Sequence, residues 1–107
     1  MYMNVFRARK RPGYDAEAYA VDAARMLALA RAQKGFIAYR KYLADDGEAV
    51  SISEWETEAD ARAWARHPEH AATQARGRLA YYESYVVYSC PDPQVRRFEG
   101  ARATEAG

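Results

Sequence analysis

Two histidines, His67 and His70, flank the dipeptide Pro68-Glu69 and are the only imidazoles in the chain. A histidine titrates near neutrality and can take a proton from a bound ligand. Arg40 is a cation able to hold the oxyanion that such a transfer leaves behind. Trp55, Trp64 and Tyr82 offer flat apolar walls for a ring, and Asn4 and Ser53 add short hydrogen-bonding groups. Together these residue types describe a site that binds an aromatic molecule, ionises it and stabilises the anion. Each also has a structural role open to it: capping for His67, a backbone hydrogen bond for His70, core packing for Trp55 and Trp64. A His-x-x-His pair on an unbroken helix would suggest a metal site. Here Pro68 interrupts the helix and no third ligand beyond Glu54, Glu69 or Glu83 offers itself, so no dedicated metal site is expected.

Composition sets the frame around these groups. With 107 residues, half of them apolar, the chain has enough for one modest core. Sixteen Lys and Arg balance 15 Asp and Glu to a formal net charge of +1, which gives no long-range pull toward nucleic acid or anionic lipid. The beginning, MYMNVFRARKR, lacks a signal-peptide core, and no apolar stretch approaches the roughly 20 residues a bilayer requires, so a cytoplasmic protein with no membrane partner is expected. Cys90, the single cysteine, reads as a half-buried hydrophobe near a strand end. No Gly-rich phosphate loop, nucleophile elbow or basic patch with interleaved aromatics is present.

The elements that must position these groups follow a regular order. Residues 2–10 are strand-like and end at Arg11-Pro12-Gly13. Asp15 is the expected N-cap of a first helix, with Tyr14 and Tyr19 at the spacing of a hydrophobic staple. Its buried stripe is Tyr19, Ala20, Ala23, Met26, Leu27 and Ala30, and Gly35 is placed to end it. Residues 36–44 and 48–56 flank Asp45-Asp46-Gly47 and read as a hairpin on a two-residue Asp46-Gly47 turn. That turn sets Leu43 opposite Val50, Lys41 opposite Ile52 and Tyr39 opposite Glu54. On the other side Ala38 lies beside Trp55, Arg40 beside Ser53 and Tyr42 beside Ser51, with Phe36 following. Thr57, with Asp60 three residues on, caps a second helix that breaks at Pro68, where His67 sits near the cap; the renewed helix should end near Gly77, before AYYESYVVY.

The result is a βαββαβ order, expected as an α+β, ferredoxin-like antiparallel sheet with helices on one face. Apolar residues on both sides of the hairpin imply that a partner covers the second face, with Ile37, Leu43, Val50 and Ile52 near the contact. Residues 1–90 form the domain, and 91–107, poor in apolar residues after Pro91 and Pro93, read as a tail, flexible or laid on a partner with Phe98 as its aromatic anchor.

Gly35-Phe36, Glu54-Trp55, Trp64, the turn His67-Pro68-Glu69-His70 and the tyrosine-rich Tyr81 to Tyr88 resemble the recurring marks of the antibiotic biosynthesis monooxygenase family, over roughly residues 2–90. The resemblance implies a dimeric α+β barrel, a homodimer whose two sheets pack face to face, with a small cavity between sheet and helices in each subunit. Some members oxidise phenolic or anthrone-like substrates to quinones with molecular oxygen and no metal or flavin. Others bind and degrade haem, and resemble one another in a first-strand asparagine, a tryptophan in the second helical region and a ligating histidine about ten residues later. Trp64 matches, but Phe6 stands at the asparagine position, with Asn4 two residues earlier, and Gln74 stands at the histidine position. The expectation is a small cofactor-independent monooxygenase acting on an aromatic or polyketide-like substrate. His67, His70 and Arg40 would be its catalytic residues, and Trp64, Tyr82, Asn4, Ser53 and Trp55 would contact substrate. The alternatives are a non-catalytic small-ligand-binding or stress-response dimer, or a haem-binding enzyme.

Overall fold

A computed structural model describes residues 1–101. The elements run β1 (Tyr2–Lys10), α1 (Ala16–Arg31), β2 (Phe36–Leu43), β3 (Ala49–Trp55), α2 (Glu58–Ala65), α3 (Pro68–Arg76), a π-helical turn (Gly77–Tyr81) and β4 (Tyr82–Pro91). The four strands form one antiparallel sheet in the order β2-β3-β1-β4, the ferredoxin-like arrangement. Residues 92–101 have no regular secondary structure. The Asp92 N–H donates to the Met1 carbonyl at 2.9 Å, and Phe98 is exposed. The rest of the expected tail, 102–107, lies outside the described residues.

Local chemistry explains the helix boundaries. The Asp15 carboxylate accepts the Ala18 N–H at 3.0 Å, and Tyr14 meets Tyr19 edge to face at 6.0 Å, so cap and staple both form. The Thr57 hydroxyl accepts the Asp60 N–H at 3.1 Å and starts α2. His67 caps α3 through its ring, Nδ1 accepting the Glu69 N–H at 3.2 Å, with Pro68 at the first helical position. Helix α1 ends at Ala32 rather than at Gly35, which instead uses a positive φ of 81° to turn into β2. Its inner stripe holds Tyr19, Asp22, Ala23, Met26, Leu27 and Ala30, while Ala20 is exposed. The chain does not pass straight from α3 into β4 at Gly77 as expected: the π turn carries it to Tyr82.

The hairpin differs from expectation by one residue, with large consequences. Tyr39 faces Ser53, Arg40 faces Ile52, Tyr42 faces Val50 and Leu43 faces Ala49. A two-residue turn of the expected type needs positive φ at both central residues, and of Asp46 and Gly47 only Gly47 has it, at 91°. The loop is therefore three residues, closed by the Ala44 N–H to the Glu48 carbonyl at 2.8 Å and braced by the Asp46 carboxylate accepting the Glu48 N–H. A one-residue slip moves every side chain of one strand to the other face relative to its partner. A bulge between Phe36 and Ala38 then brings Phe36 and Tyr39 onto the same, helix-covered face.

On that face Tyr2, Ala30, Trp55, Ala61 and Trp64 form the buried core, with Met26, Leu29 and Phe36 packed against it. Ion pairs Arg25–Glu69 and Arg76–Asp22, both at 3.1 Å, tie α3 to α1, and the Tyr81 hydroxyl donates to Asp22 at 2.8 Å. The opposite face carries Val5 beside Ile52 and Tyr88, and Arg7 beside Val50 and Val86, with no helix over it. Among the described residues no helix is long and apolar enough to cross a membrane.

Candidate functional site

Between the sheet and the helices lies a cavity of about 540 Å³. Its floor is the inner row of the sheet: Asn4 and Phe6 from β1, Tyr39 from β2, Ser51, Ser53 and Trp55 from β3, and Tyr85, Val87 and Ser89 from β4. The strands fold this way because residues two apart share a face, so tyrosine, serine and tryptophan at alternate positions converge. Helix α1 supplies Tyr19, Met26 and Leu27 to the roof, and α2, α3 and the π turn supply Trp64, His70, Gln74, Gly77 and Tyr82's neighbour Tyr81.

The tryptophan and histidine pair forms one wall. The ring of His70 stacks on Trp64, with centroids 4.2 Å apart and planes 12° from parallel. Its Nδ1–H donates to the Trp64 carbonyl at 3.0 Å, and its Nε2 faces the Gln74 amide at 3.5 Å. Burial pushes the His70 imidazole below its ordinary pKa, and the nearby His67 adds to this, against the opposing pull of the Trp64 carbonyl. The ring is therefore neutral at neutral pH, with Nε2 as its acceptor nitrogen beside the Gln74 amide. His67 does different work. Its Nδ1 is spent on the α3 cap, and it is absent from the cavity lining.

Most of the expected site residues line the cavity: Trp64, Tyr82, Asn4, Ser53, Trp55 and His70. Trp55 is 1 % exposed, with its Nε1–H donating to the Ser53 hydroxyl at 3.3 Å, so it is core first and wall second. Asn4 accepts from the Ser89 hydroxyl at 3.3 Å. Arg40 is not in the cavity. The one-residue register change pairs it with Ile52 on the helix-free face, where it is exposed and cannot hold an oxyanion formed on the other side.

Sequence reasoning missed the far end of the cavity. There Tyr19, Tyr39, Tyr82 and Tyr85 crowd together with Phe6, whose ring lies 5.4 Å from Tyr82 and 5.0 Å from Tyr85. The Lys41 ammonium donates to the Tyr19 hydroxyl at 3.0 Å, and Lys10 sits 4.0 Å above the Tyr19 ring centre. Tyr19 was visible as part of the α1 stripe; Lys41 was not, because its approach depends on the corrected hairpin register, and Lys10 was not, because its place opposite Tyr82 depends on the pairing of β1 with β4. Gly77 is the other hidden element. A Cβ there would stand 2.8 Å from Cε2 of Tyr82, so the glycine is what lets that ring occupy its place on the cavity wall.

The antibiotic biosynthesis monooxygenase family model matches residues 1–76. The chain belongs to this family. The Bacillus subtilis protein YqjZ, described as uncharacterised, is 33% identical over 81 residues, spanning 76% of this chain and 71% of its own. Among solved structures, SnoaB from Streptomyces nogalater, a cofactor-independent oxygenase, superposes with a TM-score of 0.73 over 88% of this chain and 94% of its own at 17% identity. Rv0793 from Mycobacterium tuberculosis does so with a TM-score of 0.72 over 94% and 98% at 18% identity. At such identities the structural likeness establishes the ferredoxin-like fold alone, and a fold does not fix a reaction.

Proposed function

We propose that the protein is a cofactor-independent monooxygenase that oxidises a phenolic or anthrone-like aromatic compound with molecular oxygen. The observation that carries this reading is the wall made by Trp64 and His70, a neutral imidazole beside an aromatic plane on a cavity of about 540 Å³. An electron-rich phenol, once deprotonated, can pass an electron to oxygen, so the protein must bind the ring, take protons and hold the anion. His70 accepts a proton; Trp64 and Trp55 wall the ring; Asn4, Ser53 and Tyr82 orient its oxygens. Family membership and the likeness to a cofactor-independent oxygenase support the same choice.

Two further elements belong to the reading. The helix-free face, with Val5, Val50, Ile52, Val86 and Tyr88, is proposed as the contact of a homodimer of about 2,000 Å² or more. Leu43 is not part of that surface, because it pairs with Ala49 in the row of the other face, and Ile37 falls in the bulge. No haem is proposed. Gln74 stands where a ligand would be required. Haem titration is expected to give no stoichiometric complex with a sharp Soret band.

Oxygen uptake with a panel of phenols and anthrones tests the central claim. Uptake by wild type that falls in Trp64→Phe and in His70→Gln is expected. Ligand binding without oxygen uptake by any compound would make the protein a small-molecule binder instead.

A further inference from the structure

We infer that Tyr19, held between Lys41 and Lys10, is a second proton-accepting residue of the cavity, taking the hydroxyl proton of an acidic phenol or enol and retaining the oxygen anion that results. The geometry is that of a phenol served by two cations. Lys41 Nζ donates to the Tyr19 oxygen at 3.0 Å, and Lys10 Nζ lies 4.0 Å from the centre of its ring. Among the described residues neither ammonium has a carboxylate within ion-pair distance, although six such pairs form elsewhere in the molecule. Neither lysine lines the cavity itself, but two unneutralised cations held against a lining tyrosine favour negative charge at its oxygen.

The groups that face Tyr19 come from every element around it. They are Lys10 of β1, Tyr14 ahead of α1, Lys41 and Tyr39 of β2, Tyr81 of the π turn and Tyr82 of β4. Burial opposes ionisation of the Tyr19 phenol, yet the Lys41 hydrogen bond and the charges of Lys41 and Lys10 outweigh it and hold the phenol below its ordinary pKa. Tyr82 goes the other way: burial and the proximity of Tyr19 push its phenol up, so it stays a hydrogen-bond donor. One tyrosine is thus prepared to lose its proton and its neighbour to keep it.

The step balances without an oxidant. Tyr19 acts from its ionised form, its own proton having passed to solvent before the ligand binds; the ligand O–H bond then breaks, an O–H bond to Tyr19 forms, and the electron pair stays on the ligand oxygen. Negative charge moves from one oxygen to the next inside the field of the same two ammonium groups, so little is lost to reorganisation. This deepens the oxygenase reading, on which its catalytic meaning rests. Converting a phenol to a quinone with one molecule of oxygen and release of water removes two protons from the ring, one from the hydroxyl and one from the carbon that gains oxygen. Tyr19 serves the first and leaves His70 for the second. The assignment also fills the place that Arg40 vacates.

Two measurements test it, neither needing turnover. Tyrosine ionisation followed by ultraviolet difference spectroscopy should show one phenol in wild type titrating ahead of the others; the step should vanish in Tyr19→Phe and move to higher pH in Lys41→Met and Lys10→Met. Binding of 4-nitrophenol, read from its own absorption, should favour the ionised form in wild type, and the Lys10→Met/Lys41→Met double variant should weaken that form by about tenfold or more relative to the neutral one. Identical tyrosine titrations in wild type and Tyr19→Phe, no binding of the probe by wild type, or equal affinity for its two forms would each overturn the inference. Oxygen uptake separates it from the broader reading. Preference for the anion without oxygen consumption keeps Tyr19 and discards the oxygenase, whereas oxygen consumption undiminished in Tyr19→Phe does the reverse.

Discussion

The two faces of the sheet are built from the same strands yet meet different fates. At the centre of the helix-covered face Trp55 is enclosed to 1 % exposure, with Trp64 of α2 over it at 8 %, while Val87 and Leu43 toward its edges stay 47% and 76% exposed; the polar residues Asn4, Ser53 and Tyr39 find partners or line the cavity. On the other face Val86, Tyr88 and Tyr42 remain 43%, 46% and 57% exposed, with Arg7 bound to Glu48 and to the Tyr88 hydroxyl as its main polar anchor. Helices cover only one side of this fold, so alternation along a strand that would normally mark a wet face here leaves a second apolar surface. The comparison teaches that the helices enclose the centre of one face and cover none of the other.

The most far-reaching effect, a change of assembly, is expected on the open face. Ile52→Asp should turn a homodimer into a monomer or weaken it by about 2 kcal/mol or more, seen by light scattering at micromolar concentration. A wild-type protein that is a stable, folded monomer would erase the contrast between the faces. Next comes the covered face itself. Trp64→Ala should cost roughly 3 to 5 kcal/mol in thermal or denaturant unfolding, because the ring is buried in the core cluster as well as exposed to the cavity.

A smaller and more local effect is expected at Gly77. Gly77→Ala should destabilise by about 1 to 3 kcal/mol through collision with the Tyr82 ring. Tyr82→Leu should remove most of that cost in a double-mutant cycle, and additivity of the two changes would show that the close approach does not matter.

The two histidines give the finest test. His70 is held below its unfolded pKa of 6.5, chiefly by burial, so protonation favours the unfolded chain. Its stabilising contribution is complete above about pH 6.5 and is lost as pH falls through the lower folded value. Wild type should therefore lose stability over that window more steeply than His70→Gln. His67→Ala should cost about 1 kcal/mol, as a lost helix cap, and leave ligand affinity unchanged. A ligand-binding defect in His67→Ala equal to that of His70→Gln would return both histidines to the site.

Much of this was legible in the chain. Asp15, Thr57 and His67-Pro68 mark helix starts because capping is decided by residues within one turn of each other. Trp55 and Trp64 announce the core by size and spacing, and Asn4, Ser53 and Tyr82 reach the cavity as their strand positions suggest. Arg40 was misread for a single reason, the length of the Asp45-Asp46-Gly47 loop, and the same error concealed Lys41 from Tyr19. Local signals name a turn but do not fix how many residues it spends, and in a sheet one residue decides which face a side chain occupies.

By itself, then, the sequence determined the order βαββαβ, the caps, the broken second helix and a stock of aromatic groups, all of which depend on neighbours close along the chain. Only the tertiary structure decided which histidine faces the cavity, which cation stands near its oxygens and why residue 77 is glycine. These depend on register, on a bulge between Phe36 and Ala38, and on the approach of the π turn to β4, contacts between residues far apart in the chain whose geometry no short segment encodes.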